Sequence, residues 1–115
     1  KLLFVCSPNN PTGNLIERQS ILTLLEAFPG LVVVDEAYID FAETRSMTAL
    51  LDQYPNLVVL QTFSKAWGLA ALRLGMCFAS EDLIRILNKV KPPYNISAPA
   101  QQLALEALQQ TAQKD

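Results

Sequence analysis

Apolar residues fall into two patterns along the chain. Four short runs, residues 2–6, 31–34, 57–61 and 74–79, are dominated by Leu, Val, Phe, Met, Ala and Cys with no polar alternation. Runs of this length between turn residues predict strands buried on both faces, as in a parallel sheet. Elsewhere the spacing is helical. Ile21, Leu24, Leu25 and Phe28 keep i, i+3, i+4, i+7 spacing and predict a helix over 17–28, stopped by Pro29-Gly30. A short helix is expected around 47–53. Ser80 has the character of an N-cap, with Glu81 and Asp82 in the first turn and Lys89 and Lys91 near the far end, matching the helix dipole. Leu83, Ile86, Leu87 and Val90 form the expected buried face of that helix, which Pro92-Pro93 ends. A last helix starts after Ser97, with Ala100, Leu103, Ala104, Ala107 and Leu108 on its apolar side, and runs into the polar tail 109–115.

Strands alternating with helices predict an α/β fold with right-handed crossovers and a parallel sheet. The fourth strand is the exception. Only Gly68-Leu69-Ala70-Ala71-Leu72 separates it from the loop after the third strand, too little for a crossover helix, so these two strands are expected to be antiparallel. Three parallel strands, one antiparallel strand and helices on the faces make up the expected architecture.

Composition narrows the chemistry. The 115 residues are 50% hydrophobic, enough for one small core, so a single domain or part of one is expected. The chain begins with Lys1 directly inside a strand-like run, as an excised segment of a larger domain would. Nine basic and eleven acidic residues give a net charge of −2, without a basic stripe or a run of one sign, so neither nucleic acid nor an anionic membrane is expected as a partner. No apolar stretch approaches the roughly 20 residues that span a bilayer, and a cytoplasmic location fits best. Cys6 and Cys77 lie far apart in apolar runs and are expected to be reduced and buried. Histidine is absent, which removes His-dependent triads and the usual zinc sites; no metal is expected. Any chemistry falls to lysine, tyrosine and carboxylates.

Three polar motifs each close a predicted strand: Ser7-Pro8-Asn9-Asn10-Pro11-Thr12-Gly13, Asp35-Glu36-Ala37-Tyr38, and Thr62-Phe63-Ser64-Lys65-Ala66-Trp67-Gly68 with Arg73 and Gly75 beyond. Ligands of open α/β sheets bind at the carboxyl ends of the strands, so the three motifs are expected to converge on one crevice. An amine among hydroxyls, followed by a glycine and an arginine, suits a Schiff-base lysine beside an anchored phosphate. Each motif has a plainer reading. Asn-Pro-x-Gly is a turn signal in its own right, Asp35 could be a helix N-cap, Arg73 could form a structural salt bridge, and Lys65 could be a surface charge.

In this order and spacing the motifs resemble the large domain of fold type I pyridoxal-phosphate enzymes, the aspartate aminotransferase superfamily. With Lys91-Pro92-Pro93-Tyr94-Asn95-Ile96-Ser97 they look most like the histidinol-phosphate aminotransferases. The chain is thereby identified with the central part of that pyridoxal-phosphate-binding domain. The resemblance implies that Lys65 is the catalytic residue and holds the cofactor covalently, burial near other cations lowering its pKa. It implies that Asp35 keeps the ring nitrogen protonated, that Asn10 and Tyr38 share the ring oxygen, and that Thr62, Ser64 and Arg73 bind the phosphate. A cis bond is expected at Asn10-Pro11, and a trans bond before Pro8. Glu36 is the poorer partner for the ring nitrogen because neighbouring residues of a strand face opposite sides. The Tyr94-Asn95 loop matches a family segment near the partner subunit's site, but a turn serves as well. The implied activity is amino-group exchange between a small amino donor and a 2-oxo acid, histidinol phosphate and 2-oxoglutarate in particular, by a homodimer. Threonine-phosphate decarboxylases and aromatic or aspartate aminotransferases share most of these motifs. A non-catalytic domain of the same fold is a further reading. The apolar run before Asp35-Glu36 also fits an ATPase strand, but no phosphate-binding G-x-x-x-x-G-K-[ST] accompanies it.

Overall fold

The computed structural model describes residues 1–110. Strands β1 (Leu2–Cys6), β2 (Leu31–Asp35), β3 (Leu57–Thr62) and β4 (Gly75–Ala79) form one sheet in the order β1-β2-β3-β4. The first three run parallel and β4 is antiparallel to β3, as the short link demands. In register, Cys6 lies beside Asp35, Asp35 beside Leu60, and Thr62 beside Gly75, so the ends of β1, β2 and β3 meet at one edge of the sheet. The three strand-closing motifs begin there.

Helix α1 (Arg18–Ala27) carries the chain from β1 to β2 and lays Ile21 and Leu25 on one face of the sheet. Val5, Val32, Val34, Leu57 and Val59 come up from the strands, and Met47 closes the layer. Between β2 and β3 lie two 3-10 turns, Ile39–Phe41 and Met47–Leu50, the second standing where a helix was expected around 47–53. Ser46 caps the second by accepting the Thr48 N–H at 3.0 Å. The lengths of helix α2 (Glu81–Val90) and helix α3 (Ala98–Gln109) follow the apolar periodicity, and Ser97 caps α3 through the Ala100 N–H. Ser80, by contrast, makes no side-chain capping bond. Of the expected polar tail, 111–115 lies outside the described residues.

Burial departs from expectation on the second face of the sheet. Val33 and Val58 are buried there, but Leu2 and Phe4 are 60% and 66% exposed, and Cys77 is exposed as well. Cys77 therefore corrects the expectation of two buried thiols; partial desolvation still pushes its pKa above the usual thiol value. Cys6 is half-buried, its Sγ 3.5 Å from the Pro8 carbonyl, and both cysteines are free. The predicted buried face of α2 is also open, with Ile86, Leu87 and Val90 exposed. Apolar periodicity marks a surface that gains from being covered, but other elements must supply the cover.

Leu57 is fully buried at the centre of the covered layer. Leu57→Ala is expected to lower the unfolding free energy by about 2–5 kcal/mol through lost transfer energy and a residual cavity. The check is the denaturant midpoint, which falls while the slope of the transition stays constant.

Candidate active site

At the end of β1 the backbone turns through Ser7–Gly13. Ser7 is buried; its N–H donates to the Asp35 carbonyl at 3.0 Å, and its Oγ accepts the Ile16 N–H at 3.0 Å. Both Ser7-Pro8 and Asn10-Pro11 are cis. The second agrees with expectation and the first corrects it, since an X-Pro bond prefers trans by only about 0.5–1 kcal/mol and local sequence does not fix the isomer. Gly13 closes the loop with φ of 74°, its N–H donating to the Asn9 carbonyl at 2.7 Å. A left-handed conformation at this point favours glycine.

The loop brings Asn10 against the β2 exit, where its Nδ2 donates to the Tyr38 hydroxyl oxygen at 3.2 Å. Since the phenol accepts from the amide, its own hydrogen points away from Asn10 and can serve another acceptor. Lys65 Nζ lies 5.2 Å from the centre of the Tyr38 ring, within cation–π range. Three strand-end motifs thus place an amide, a phenol and an amine together. Asp35, the last residue of β2, is half-buried, and its Oδ1 accepts the Ala37 N–H at 3.0 Å. That bond fixes the carboxylate's orientation. Pro8, Asn10, Pro11, Leu15, Tyr38 and Phe41 wall a cleft of about 430 Å³ beside this group.

The Lys65 loop hangs from a buried anchor. Phe63 is 3% exposed, packs against Trp67 with ring centres 5.4 Å apart, and donates its N–H to the Leu74 carbonyl at 3.2 Å. Gly68, with φ of 65°, closes a turn by donating its N–H to the Lys65 carbonyl at 2.9 Å. Lys65 is carried out on that turn and is exposed, which corrects the expectation of a buried amine. The aromatic flanks Phe63 and Trp67 are buried and half-buried, whereas the amine stands at the sheet edge, and no part of the described chain closes over it.

Of the three expected phosphate ligands, Thr62 and Ser64 are adjacent. Thr62 Oγ1 accepts the Ser64 N–H at 3.1 Å and donates to the Leu74 carbonyl at 3.3 Å, while Ser64 is half-buried. Arg73 hydrogen-bonds to neither. It sits in the left-handed region at φ of 52°, and its Nη1 donates to the Ala70 carbonyl at 2.9 Å. Four of the five guanidinium N–H donors are left for other partners. A non-glycine residue held at positive φ costs of order 1 kcal/mol, and such strain clusters at functional sites. The Tyr94 side chain is 96% exposed, and the described chain packs nothing on it.

Glu36, the poorer partner for the ring nitrogen by strand alternation, faces away from Asp35. It is 2% exposed and fully hydrogen-bonded by Ser46, Met47 and Gln61. The sequence signal for this was parity: Glu36 continues the Val32, Val34 row, and Gln61 continues the Leu57, Val59 row.

A family model described as aminotransferase class I and II matches residues 1–115. The chain is 64% identical over 115 residues to the histidinol-phosphate aminotransferase of Cytophaga hutchinsonii, covering 100% of this chain and 33% of that protein. With the Flavobacterium johnsoniae histidinol-phosphate aminotransferase the identity is 58% over 108 residues, covering 94% of this chain and 31% of the relative. The chain therefore spans about a third of the length of the curated relatives it matches. Among solved structures, the L-threonine-O-3-phosphate decarboxylase of Porphyromonas gingivalis superposes with a TM-score of 0.88 at 32% identity, over 97% of this chain and 35% of that one. The Sinorhizobium meliloti histidinol-phosphate aminotransferase in complex with pyridoxal-5'-phosphate superposes with a TM-score of 0.89 at 27% identity, over 98% of this chain and 32% of that one.

Proposed function

The chain belongs to the class I and II aminotransferases, and from that premise we propose that it forms the central part of the cofactor-binding domain of a pyridoxal-phosphate-dependent histidinol-phosphate aminotransferase. The observation that carries this reading is the meeting of Asn10, Tyr38 and Lys65 at the sheet edge, each delivered by a different strand end. The donor set fits the cofactor. Lys65 supplies the amine for its aldehyde, Asp35 an anion for the ring nitrogen, and Asn10 and Tyr38 donors for the ring oxygen. Ser64, Thr62 and Arg73 supply hydroxyls and a guanidinium for the phosphate. Thr62 would offer its hydroxyl to the anion by turning it off the long 3.3 Å bond to the Leu74 carbonyl.

When bound, pyridoxal phosphate draws electrons from the substrate Cα and makes its proton acidic. The chain's own groups do the remainder. Lys65, on its turn, would be the base that takes the proton from Cα and holds it for return. Asp35, oriented by the Ala37 N–H, holds a proton on the ring nitrogen through a charge-assisted bond worth about 1.5–3 kcal/mol. Tyr38, its oxygen already accepting from Asn10, directs its hydrogen to the ring oxygen.

Amino donor and 2-oxo acid are the proposed partners, histidinol phosphate and 2-oxoglutarate in particular, in a cytoplasmic homodimer. No helix among the described residues is long and apolar enough to cross a membrane. A threonine-phosphate decarboxylase is the second reading, favoured by the 32% identical Porphyromonas gingivalis structure, but identities of 58–64% to histidinol-phosphate aminotransferases weigh more. The deciding assay offers the full-length protein each phosphate ester and follows glutamate or carbon dioxide. Glutamate from histidinol phosphate supports the proposal; carbon dioxide from threonine phosphate overturns the substrate assignment.

The 115-residue chain alone is expected to be catalytically inert, because misplacement of reacting groups by even about 1 Å costs around a hundredfold, and Lys65 stands open here. Its exposed Leu2, Phe4, Ile86 and Val90 are also expected to make it self-associate. Mixing the chain with cofactor and amino donor and following the cofactor's absorbance is the measurement. Turnover at a rate typical of enzymes would show that these residues suffice.

A further inference from the structure

One buried charge lies outside the cofactor groups. Glu36 directly follows Asp35, and its side chain passes to the opposite face of β2, where it is 2% exposed. Oε1 accepts the Met47 N–H at 2.7 Å; Oε2 accepts the Ser46 hydroxyl at 2.6 Å and Gln61 Nε2 at 3.0 Å. Gln61 Nε2 also reaches Ser46 Oγ at 3.2 Å, and Ser46 Oγ lies 2.8 Å from Thr48 Oγ1. An ion pair does not explain the burial. Arg18 and Arg45 border a small void beside Glu36, but Arg18 Nη1 donates to the Arg45 carbonyl at 3.2 Å, and the Glu36 oxygens accept from Ser46, Met47 and Gln61. The carboxylate is thus held by neutral donors alone.

Such an arrangement is an expensive way to stabilise a core, since a buried charge gives up several kcal/mol of hydration and apolar packing often does as well. Its distinguishing property is directional. Three donors, one from the end of β3 and two from the Ser46-Met47 turn, must all point at one carboxylate at the end of β2. Gln61 immediately precedes Thr62, as Asp35 immediately precedes Glu36, so the network spans the same two strand ends that carry the cofactor groups on the opposite face. The Glu36 N–H adds a backbone tie to the Leu60 carbonyl at 2.8 Å.

Resting on the reading above, we propose that Glu36 is a positioning residue for the cofactor site: through Ser46, Met47 and Gln61 it fixes the spacing of the β2 and β3 ends, and with it the separation of Asp35 from Thr62. Glu36→Gln keeps the size but presents an NH₂ where three donors converge. One donor then loses its acceptor, and the two strand ends relax apart.

The experiment uses the full-length protein and pyridoxal phosphate itself. Two quantities are read against the unsubstituted protein: the Kd for the cofactor, and the pH midpoint of the bound cofactor's visible absorbance. The second reports on groups around the ring, which a remote loss of stability does not move. Glu36→Gln is expected to weaken cofactor binding by about tenfold or more, as loosened support for a preorganised site does, and to displace the midpoint. Should Glu36→Gln not fold, the decision passes to Ser46→Ala, which leaves the carboxylate two donors and is expected to shift both readings in the same direction by a smaller amount. A folded variant with a lower melting temperature but unchanged Kd and midpoint overturns the inference and leaves the reading of the site intact. If the unsubstituted protein takes up no cofactor, both fall.

Discussion

Lys65→Ala in the full-length protein is expected to abolish covalent uptake of pyridoxal phosphate and to lower transamination by at least about 10⁴-fold, since the attachment point and the base for Cα are lost together. Geometry leaves no substitute among the described residues. Lys1 precedes β1 and so lies at the opposite end of that strand from Asn10, and Lys89 and Lys91 lie at the end of α2. Only Lys65 is held over the Tyr38 ring, by a turn that Phe63 and Gly68 anchor. Borohydride reduction followed by peptide mass mapping is the check. Label on Lys65 in the unsubstituted protein and on no lysine in the variant is the expected result; undiminished label elsewhere would remove Lys65 from its role.

Asp35→Asn is expected to separate binding from chemistry. Cofactor uptake through Lys65 should persist, while turnover drops by about a hundredfold or more, the usual cost of losing one preorganised electrostatic partner. Asparagine can still accept the Ala37 N–H at the Oδ1 position, so the side chain keeps its orientation. What it loses is the negative charge that holds a proton on the ring nitrogen, and its NH₂ repels a protonated nitrogen. Comparing kcat with borohydride labelling decides the matter. Near-normal kcat with normal labelling would assign the ring nitrogen to another group.

Much of this was legible in the sequence, for identifiable reasons. Strands β1 to β3 are apolar on both faces because both faces of a parallel sheet are meant to be covered, so their positions survived almost to the residue. The reversal of β4 followed from a link too short to cross over. The meeting of Asn10, Tyr38 and Lys65 followed from strand ends sharing an edge. What stayed hidden depends on contacts distant in sequence. The isomer before Pro8, the 3-10 turn in place of a helix at 47–53, and the gathering of Ser46 and Gln61 around Glu36 are decided by tertiary packing. Exposure of Phe4, Cys77 and the α2 face was invisible because apolar character states a demand for cover without stating what meets it.

The order β1-β2-β3-β4 places every strand beside its neighbour in the chain. Pairing between strands adjacent in the chain keeps the loop closures short, the contact pattern that favours fast folding. The Lys65 loop is bordered by β3 on one side and by β4, folded back on β3, on the other. In a sheet built in chain order, the Lys65 loop would gain its second border after the Asn10 and Tyr38 supports have formed.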